Sequence, residues 1–149
     1  MKTTDIYMTF NLLNIAKLTK MDDKDKFLVI KAVRQLKPIA TDFSEAIEDA
    51  REKLKAENHS EWIKRADKWN AENAKKKTSE LTPEDIDKRD KINEYFNSYN
   101  KKVNDCLKEE ADKEHELTYT RLSEEAFAKL MASNDWTMHE ILMINDALV

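Results

Sequence analysis

The stretch LKPIATDFSEAIEDAREKL, residues 36–54, decides the fold of this chain. Its apolar side chains recur at steps of three and four, at Leu36, Ile39, Phe43, Ile47, Ala50 and Leu54. This spacing puts them on one stripe of an α-helix, close to the heptad seam of a coiled coil. Pro38 removes one helical hydrogen bond, but the stripe continues in phase through it. We therefore predict one kinked helix that begins after Met21 and runs to about Ala56.

A second stripe of the same kind lies further along the chain, at Ile92, Phe96, Tyr99, Val103 and Cys106. The segment Thr82-Pro83-Glu84-Asp85 precedes it and combines a threonine cap, a proline at the first helical position and acidic residues in the first turn. We predict a helix from this cap to about Lys113. The two stripes are expected to pack together as an antiparallel helical hairpin, with Cys106 in its core.

The chain has no glycine among its 149 residues. Glycine allows tight hairpin turns and phosphate-binding loops, so its absence disfavours sheet folds and excludes P-loop and dinucleotide-binding motifs. The composition predicts an all-α fold, an elongated antiparallel bundle of long helices followed by a short extended segment and two short C-terminal helices. A length of 149 fits a single helical domain, residues 1–149, in which the polar segment 55–81 forms a projecting arm.

The remaining elements are predicted from local signals. A first helix from about Thr3 to Lys17 is apolar over a wide arc, and a third helix from about Glu61 to Lys77 has a thin apolar face. Residues 115–121 alternate like a strand, which indicates either an extended connector, the reading we favour, or pairing with a second copy. Ser123 caps a helix over residues 124–132, and Thr137 with Glu140 forms a capping box for the last helix.

Charge and cysteine content limit the partners and the cellular compartment that we expect for this chain. Charged residues make up 38% of the chain and the net charge is −4, which argues against general nucleic-acid binding. Cys106 is the single cysteine and no signal peptide or membrane span is visible, so we expect a cytoplasmic protein without contact to a membrane. Basic residues concentrate in the middle of the chain and acidic residues in its C-terminal third. These regions are either solvated surfaces or pair within the chain, between copies or with a partner.

Trp62 and Trp69 are the most informative candidates for a binding site. They are seven residues apart and so share one helix face, beside Arg65 and Lys68. Two readings stay open: the indoles pack the third helix onto the bundle, or they bind a partner or ligand by stacking while the cations hold an anion. Exposed, paired tryptophans would favour binding.

Contacts between copies are expected elsewhere. The strand-like segment contributes Leu117 and Tyr119, and the apolar C-terminus contributes Leu148 and Val149. That C-terminus either docks on the bundle or lies against another subunit.

Catalytic and metal-binding patterns are scarce. His59, His115 and His139 are widely spaced, and no cysteine–histidine pair has zinc-binding spacing, so we predict no metal, no cofactor and no catalytic residue. One enzyme alternative uses two pairs of carboxylates, Glu45 with Glu48 and Glu84 with Asp87. Carboxylates three apart share a helix face, so these pairs could bind Mg²⁺ in a nucleotide hydrolase if they converge.

The order of segments resembles that of small helical proteins of unknown function encoded by tailed phages of gut bacteria. The similarity spans most of the chain, through residues 23–31, 51–54, 117–119, 122–125 and 141–144, and has no counterpart for residues 59–81. The resemblance implies a viral protein of phage origin with a non-enzymatic role, and it transfers no functional residue.

Together these observations predict a non-enzymatic helical interaction protein in the host cytoplasm that acts through its surface, binds itself or a host protein, and forms a homo-oligomer. The alternative, from a different class, is an oligomeric sponge with an anti-defence role that sequesters a small anionic nucleotide signal of host immunity.

Overall fold

The computed structural model describes all 149 residues, Met1–Val149, and 74% of them are helical. The helices are α1 (Thr3–Asn14), α2 (Asp23–Lys53), α3 (His59–Asn73), α4 (Pro83–Asp112), α5 (Glu124–Ala132) and α6 (Met138–Leu148), with a short 3₁₀ helix at Thr78–Glu80. No strand is present, which confirms the all-α class. No residue has a positive φ, the region that glycine favours, and no helix is both long and apolar enough to span a membrane.

The predicted N-terminal caps of α4, α5 and α6 are confirmed, whereas the first helix has Lys2 at its cap position and no side-chain cap bond. Thr82 Oγ1 accepts a hydrogen bond from Asp85 N while Asp85 Oδ2 accepts one from Thr82 N, both at 3.1 Å. Ser123 Oγ accepts from Ala126 N at the start of α5. The Thr137 and Glu140 side chains form the capping box of α6. Each bond satisfies a backbone donor that would otherwise be unpaired at the start of a helix.

The long helix α2 runs through Pro38 without a break. Its predicted continuity is therefore confirmed, although it ends at Lys53 rather than Ala56. The contacts of the chain define two compact units, and the boundaries between them fall within α2 and α4. The first unit comprises Met1–Ala46 and Lys108–Val149, and the second comprises Ile47–Leu107. The organisation as a single domain stays a prediction.

The core of the first unit is built by α1, α2, α5 and α6. Its fully buried members include Ile6, Leu36, Leu130, Ile144 and Leu148, each at most 1% exposed. None of the residues of this core comes from α4. The expectation that Leu36 packs against the α4 stripe is therefore wrong, since the bulk of the apolar surface available to it lies on α1, α5 and α6.

The connector between α4 and α5 is held on the first unit by hydrogen bonds at Thr118, Tyr119 and Arg121. The Gln35 side chain accepts from Thr118 N at 3.0 Å, and the Tyr119 hydroxyl donates to Ala147 O at 2.7 Å. Arg121 Nη1 donates to the Asp146 and Ala147 carbonyls, where α6 has no helical donors left. Residues 115–121 thus form an extended connector. Tyr119 within it is partly buried, and this burial raises the pKa of its hydroxyl.

The second unit contains the end of α2, α3, the 3₁₀ helix and most of α4. The Tyr99 hydroxyl donates to Arg51 O at 2.5 Å and so joins α4 to the end of α2. Val103 is the most deeply buried apolar residue of α4, at 4% exposed. Cys106, three residues further, is exposed, so its predicted place in the core is wrong. Cys106 lies on the same side of α4 as Val103, but no other part of the chain covers its side chain.

Candidate binding site

The helix α3 lies on α4 through the face that carries its two tryptophans. The indole Nε1 of Trp69 donates to the Asp85 carbonyl oxygen at 2.9 Å, in the first turn of α4. Two turns earlier on α3, Trp62 stacks on Tyr95, with ring centroids 5.1 Å apart and an interplanar angle of 7°. The two tryptophans, seven residues apart on α3, therefore contact α4 at two points that are ten residues apart, Asp85 and Tyr95.

An aromatic cluster fixes the position of Tyr95 beneath Trp62. His59, 9% exposed, has its Nδ1 atom 2.6 Å from the Tyr95 hydroxyl, and its ring lies 4.8 Å from that of Tyr99. Phe96 contacts Tyr95 edge-on at 5.1 Å. Because these contacts restrain Tyr95 from several directions, Tyr95 is a firm support for the Trp62 ring.

An open groove of about 470 Å³ lies between the exposed sides of α3 and α4. Its volume is within the range of small-ligand pockets, about 300–1,000 Å³. The lining residues are Trp62, Arg65, Lys68, Trp69 and Glu72 from α3, and Lys88, Lys91 and Ile92 from α4. Both tryptophans and Ile92 are partly exposed, so the groove has an apolar floor and cationic walls.

Arg65 differs from the other cations of the groove. Each lysine there has a carboxylate one turn away on its own helix, in the pairs Lys68–Glu72 at 4.0 Å, Lys88–Glu84 at 3.3 Å and Lys91–Asp87 at 3.1 Å. Arg65 makes no ion pair, and its guanidinium lies 4.6 Å from the centre of the Trp62 ring. The Trp62 ring thus contacts both the Tyr95 ring and the Arg65 guanidinium.

The cap of α4 lies beside the groove and fixes its edge. The Asp85 carboxylate accepts hydrogen bonds from the backbone N–H and the hydroxyl of Thr82, and these bonds lower the pKa of the carboxyl. Lys76, whose ammonium lies 3.8 Å away, lowers that pKa by a smaller amount. The Asp85 backbone carbonyl receives the Trp69 indole. One residue thus links the start of α4 to the end of α3.

All four residues predicted for partner or ligand binding, Trp62, Arg65, Lys68 and Trp69, line this single groove. Each indole packs on α4 with one side, as the packing interpretation predicts, and lines the groove with another, so the binding interpretation stays a prediction. The residues from α4 were not predicted. Lys88, Lys91 and Ile92 share one face of α4 by their spacing, but the sequence contains no signal that this face meets α3.

The four residues predicted to form contacts between copies differ in how deeply they are buried. Leu148 is 1% exposed and belongs to the core of the first unit, so its side chain has no surface to offer a second copy. Leu117 and Tyr119 are partly buried on the same core. Val149 remains 37% exposed. Of the two alternatives for the C-terminus, docking within the chain accounts for Leu148.

The four carboxylates of the enzyme alternative do not form a metal-binding group. No three acidic, histidine or cysteine side chains come together in an arrangement suited to a metal ion. Glu45, Glu48, Glu84 and Asp87 therefore do not converge, and the last two instead pair with Lys88 and Lys91. Their spacing reflects ordinary helix-surface ion pairs.

No protein-family model, no curated protein and no solved structure matches this chain.

Proposed function

We propose that this chain is a non-enzymatic interaction protein whose main binding surface is the groove between α3 and α4. The observation that carries the proposal is the convergence of two partly exposed indoles with an unpaired arginine in one groove. Tryptophan and arginine are the residues that most often dominate the energy of protein interfaces. The phage origin implied by the resemblance would make a host protein the partner.

The proposal includes association between copies through a second surface, in the first unit. A cleft of about 370 Å³ there is lined by Met1, Asp5, Met8, His139, Leu142, Met143 and Asp146. Leu142 is 55% exposed, Met8 is 37% exposed, and neighbouring Met138 is 70% exposed. Exposed apolar side chains clustered in this way favour burial against another surface.

A second candidate function is the oligomeric sponge for an anionic nucleotide. The observation in its favour is the pairing of an arginine and three lysines with aromatic rings in a pocket of suitable volume. A ligand that binds the native state raises its stability, so thermal unfolding in the presence of cyclic dinucleotides and NAD-derived nucleotides tests it. A rise in the unfolding temperature supports the sponge, and no rise across the panel rejects it.

The groove is tested by charge reversal on two neighbouring residues. A partner purified with the wild-type chain from host cells should be lost with Arg65→Glu and retained with the matched control Lys64→Glu. Lys64 is exposed, makes no ion pair and does not line the groove. A partner that binds both variants equally well would contradict the groove as the binding surface.

Association between copies is tested by light scattering over a range of concentrations. Leu142→Asp should shift the population toward the monomer because it places a charge in the apolar cleft. A wild-type chain that is monomeric at every concentration would contradict this part of the proposal.

A further inference from the structure

We infer that the groove between α3 and α4 binds a short acidic peptide segment that carries one aromatic or branched aliphatic side chain. This inference rests on the proposed function and names the class of ligand for the same site. The aliphatic or aromatic side chain would lie on the floor formed by Trp69 and Ile92, and a neighbouring carboxylate would bind Arg65.

The apolar part of the ligand follows from the groove floor. Trp62, Trp69 and Ile92 are all partly exposed there, and the Trp69 indole N–H is already satisfied by the Asp85 carbonyl. The floor therefore offers apolar area without a free hydrogen-bond donor from Trp69. A hydrophobic side chain gains from such a surface in proportion to the apolar area that it removes from water.

The acidic part follows from the distribution of charge. Four cations and one carboxylate line the groove, and Arg65 is the one cation among them that makes no ion pair. A guanidinium presents two parallel N–H donors that match the two oxygens of a carboxylate. The three lysines are each paired with a carboxylate of their own helix, so the unpaired Arg65 carries the net positive charge that attracts an acidic segment.

A nucleotide fits the same groove less well. The Trp62 ring already stacks on Tyr95 and lies against the Arg65 guanidinium, so a base would have to compete with these two contacts to stack there. Each groove lysine already has a carboxylate partner, which leaves a phosphate only one unpaired cation. A carboxylate carries a single negative charge, so the one unpaired cation is enough to neutralise it.

The test uses three blocked hexapeptides in isothermal titration calorimetry with the full chain. The acidic, anchored probe is acetyl-Glu-Asp-Phe-Leu-Asp-Glu-amide. In one control peptide the acids are replaced by their amides, and in the other Phe-Leu is replaced by Ser-Ser. ADP and cyclic di-AMP form the nucleotide arm. We expect the acidic, anchored peptide to bind at least about tenfold more tightly than either control peptide and than either nucleotide. The amide control loses a charged hydrogen-bonded contact, and the Ser-Ser control loses buried apolar area.

The protein variants locate the binding. Arg65→Gln should weaken binding of the acidic probe by about tenfold or more, whereas Lys64→Gln should leave it unchanged. Arg65→Lys keeps the charge but loses the paired donors, and should give an intermediate affinity. Unchanged circular dichroism of all three variants shows that the fold is intact.

The outcomes separate this inference from the proposed function. Tighter binding of a nucleotide than of the acidic peptide overturns the inference in favour of the sponge. Equal affinity for the acidic and amide peptides, or no peptide binding at all, also overturns it. A host partner that is lost with Arg65→Glu would still support the groove in either case, and only retention of that partner overturns the proposed function.

Discussion

The hydrogen bond between Tyr95 and His59 provides a sharp test of how α3 is held on α4. Tyr95→Phe removes the hydroxyl that lies 2.6 Å from His59 Nδ1 and keeps the ring on which Trp62 stacks. His59 is 9% exposed, so water cannot readily replace the lost partner. Leaving a buried polar group unsatisfied costs about 1–3 kcal/mol, and we expect the free energy of unfolding to fall by that amount.

Urea denaturation followed by far-UV circular dichroism measures this loss, and the unfolding temperature should fall by about 2–4 °C for each kcal/mol. Tyr7→Phe is the matched control. The Tyr7 ring packs edge-on against Phe43 at 5.5 Å, but its hydroxyl makes no hydrogen bond to the protein, so its removal should change stability by less than about 0.5 kcal/mol. Equal effects of the two substitutions would refute the role assigned to the Tyr95 hydroxyl.

Three further predictions concern the core, the thiol and the caps. Leu36→Ala should cost about 2–5 kcal/mol in chemical denaturation because Leu36 is fully buried, and a loss below about 1 kcal/mol would contradict its place in the core. Cys106 should react with a thiol reagent in the native protein nearly as fast as in the unfolded chain, whereas strong protection would show that it is covered. Hydrogen bonds from Thr82 lower the pKa of Asp85 below 3.8, so the ionised carboxyl stabilises the fold above that pH and the benefit is lost as pH falls through the lower, folded-state pKa. Asp85→Asn should therefore flatten the acid limb of the stability curve, and an unchanged limb would contradict the assignment.

Salt should affect the association between copies in a defined direction. Asp5 and Asp146 line the apolar cleft of the first unit, and neither makes an ion pair. If two copies pair through the same cleft, these carboxylates repel one another, and added salt screens the repulsion. Light scattering should therefore show more dimer at high ionic strength, whereas less dimer would contradict pairing through this cleft.

Local signals predicted the starts of α4, α5 and α6 correctly. The caps at Thr82, Ser123 and Thr137 depend on hydrogen bonds that span three residues, so a short stretch of sequence contains all the information. Helix ends were less accurate. The first helix ends at Asn14 rather than Lys17, and α3 ends at Asn73 rather than Lys77, because these ends lack the local signal that glycine usually provides.

Tertiary contacts were harder to predict than helix faces. Periodicity places Leu36 and Cys106 on apolar stripes of their helices. It does not identify the helix that packs on a stripe, or the last residue of the stripe that is buried by that packing. Leu36 packs with α1, α5 and α6, and Cys106 is left exposed. At the groove, the spacing of Trp62 and Trp69 predicted a shared face, whereas the contribution of Lys88 and Lys91 depends on the packing of α3 on α4.

The three indole N–H signals in a ¹⁵N-correlation NMR spectrum test the central claim most directly. Trp62 and Trp69 line the groove, whereas Trp136 packs on the core of the first unit and serves as an internal reference. Titration with the acidic, anchored hexapeptide should shift the signals of Trp62 and Trp69 together, in a saturable way, and leave that of Trp136 in place. A shift of the Trp136 signal alone, or no shift of the two groove signals at saturating peptide, would contradict an acidic-peptide groove between α3 and α4.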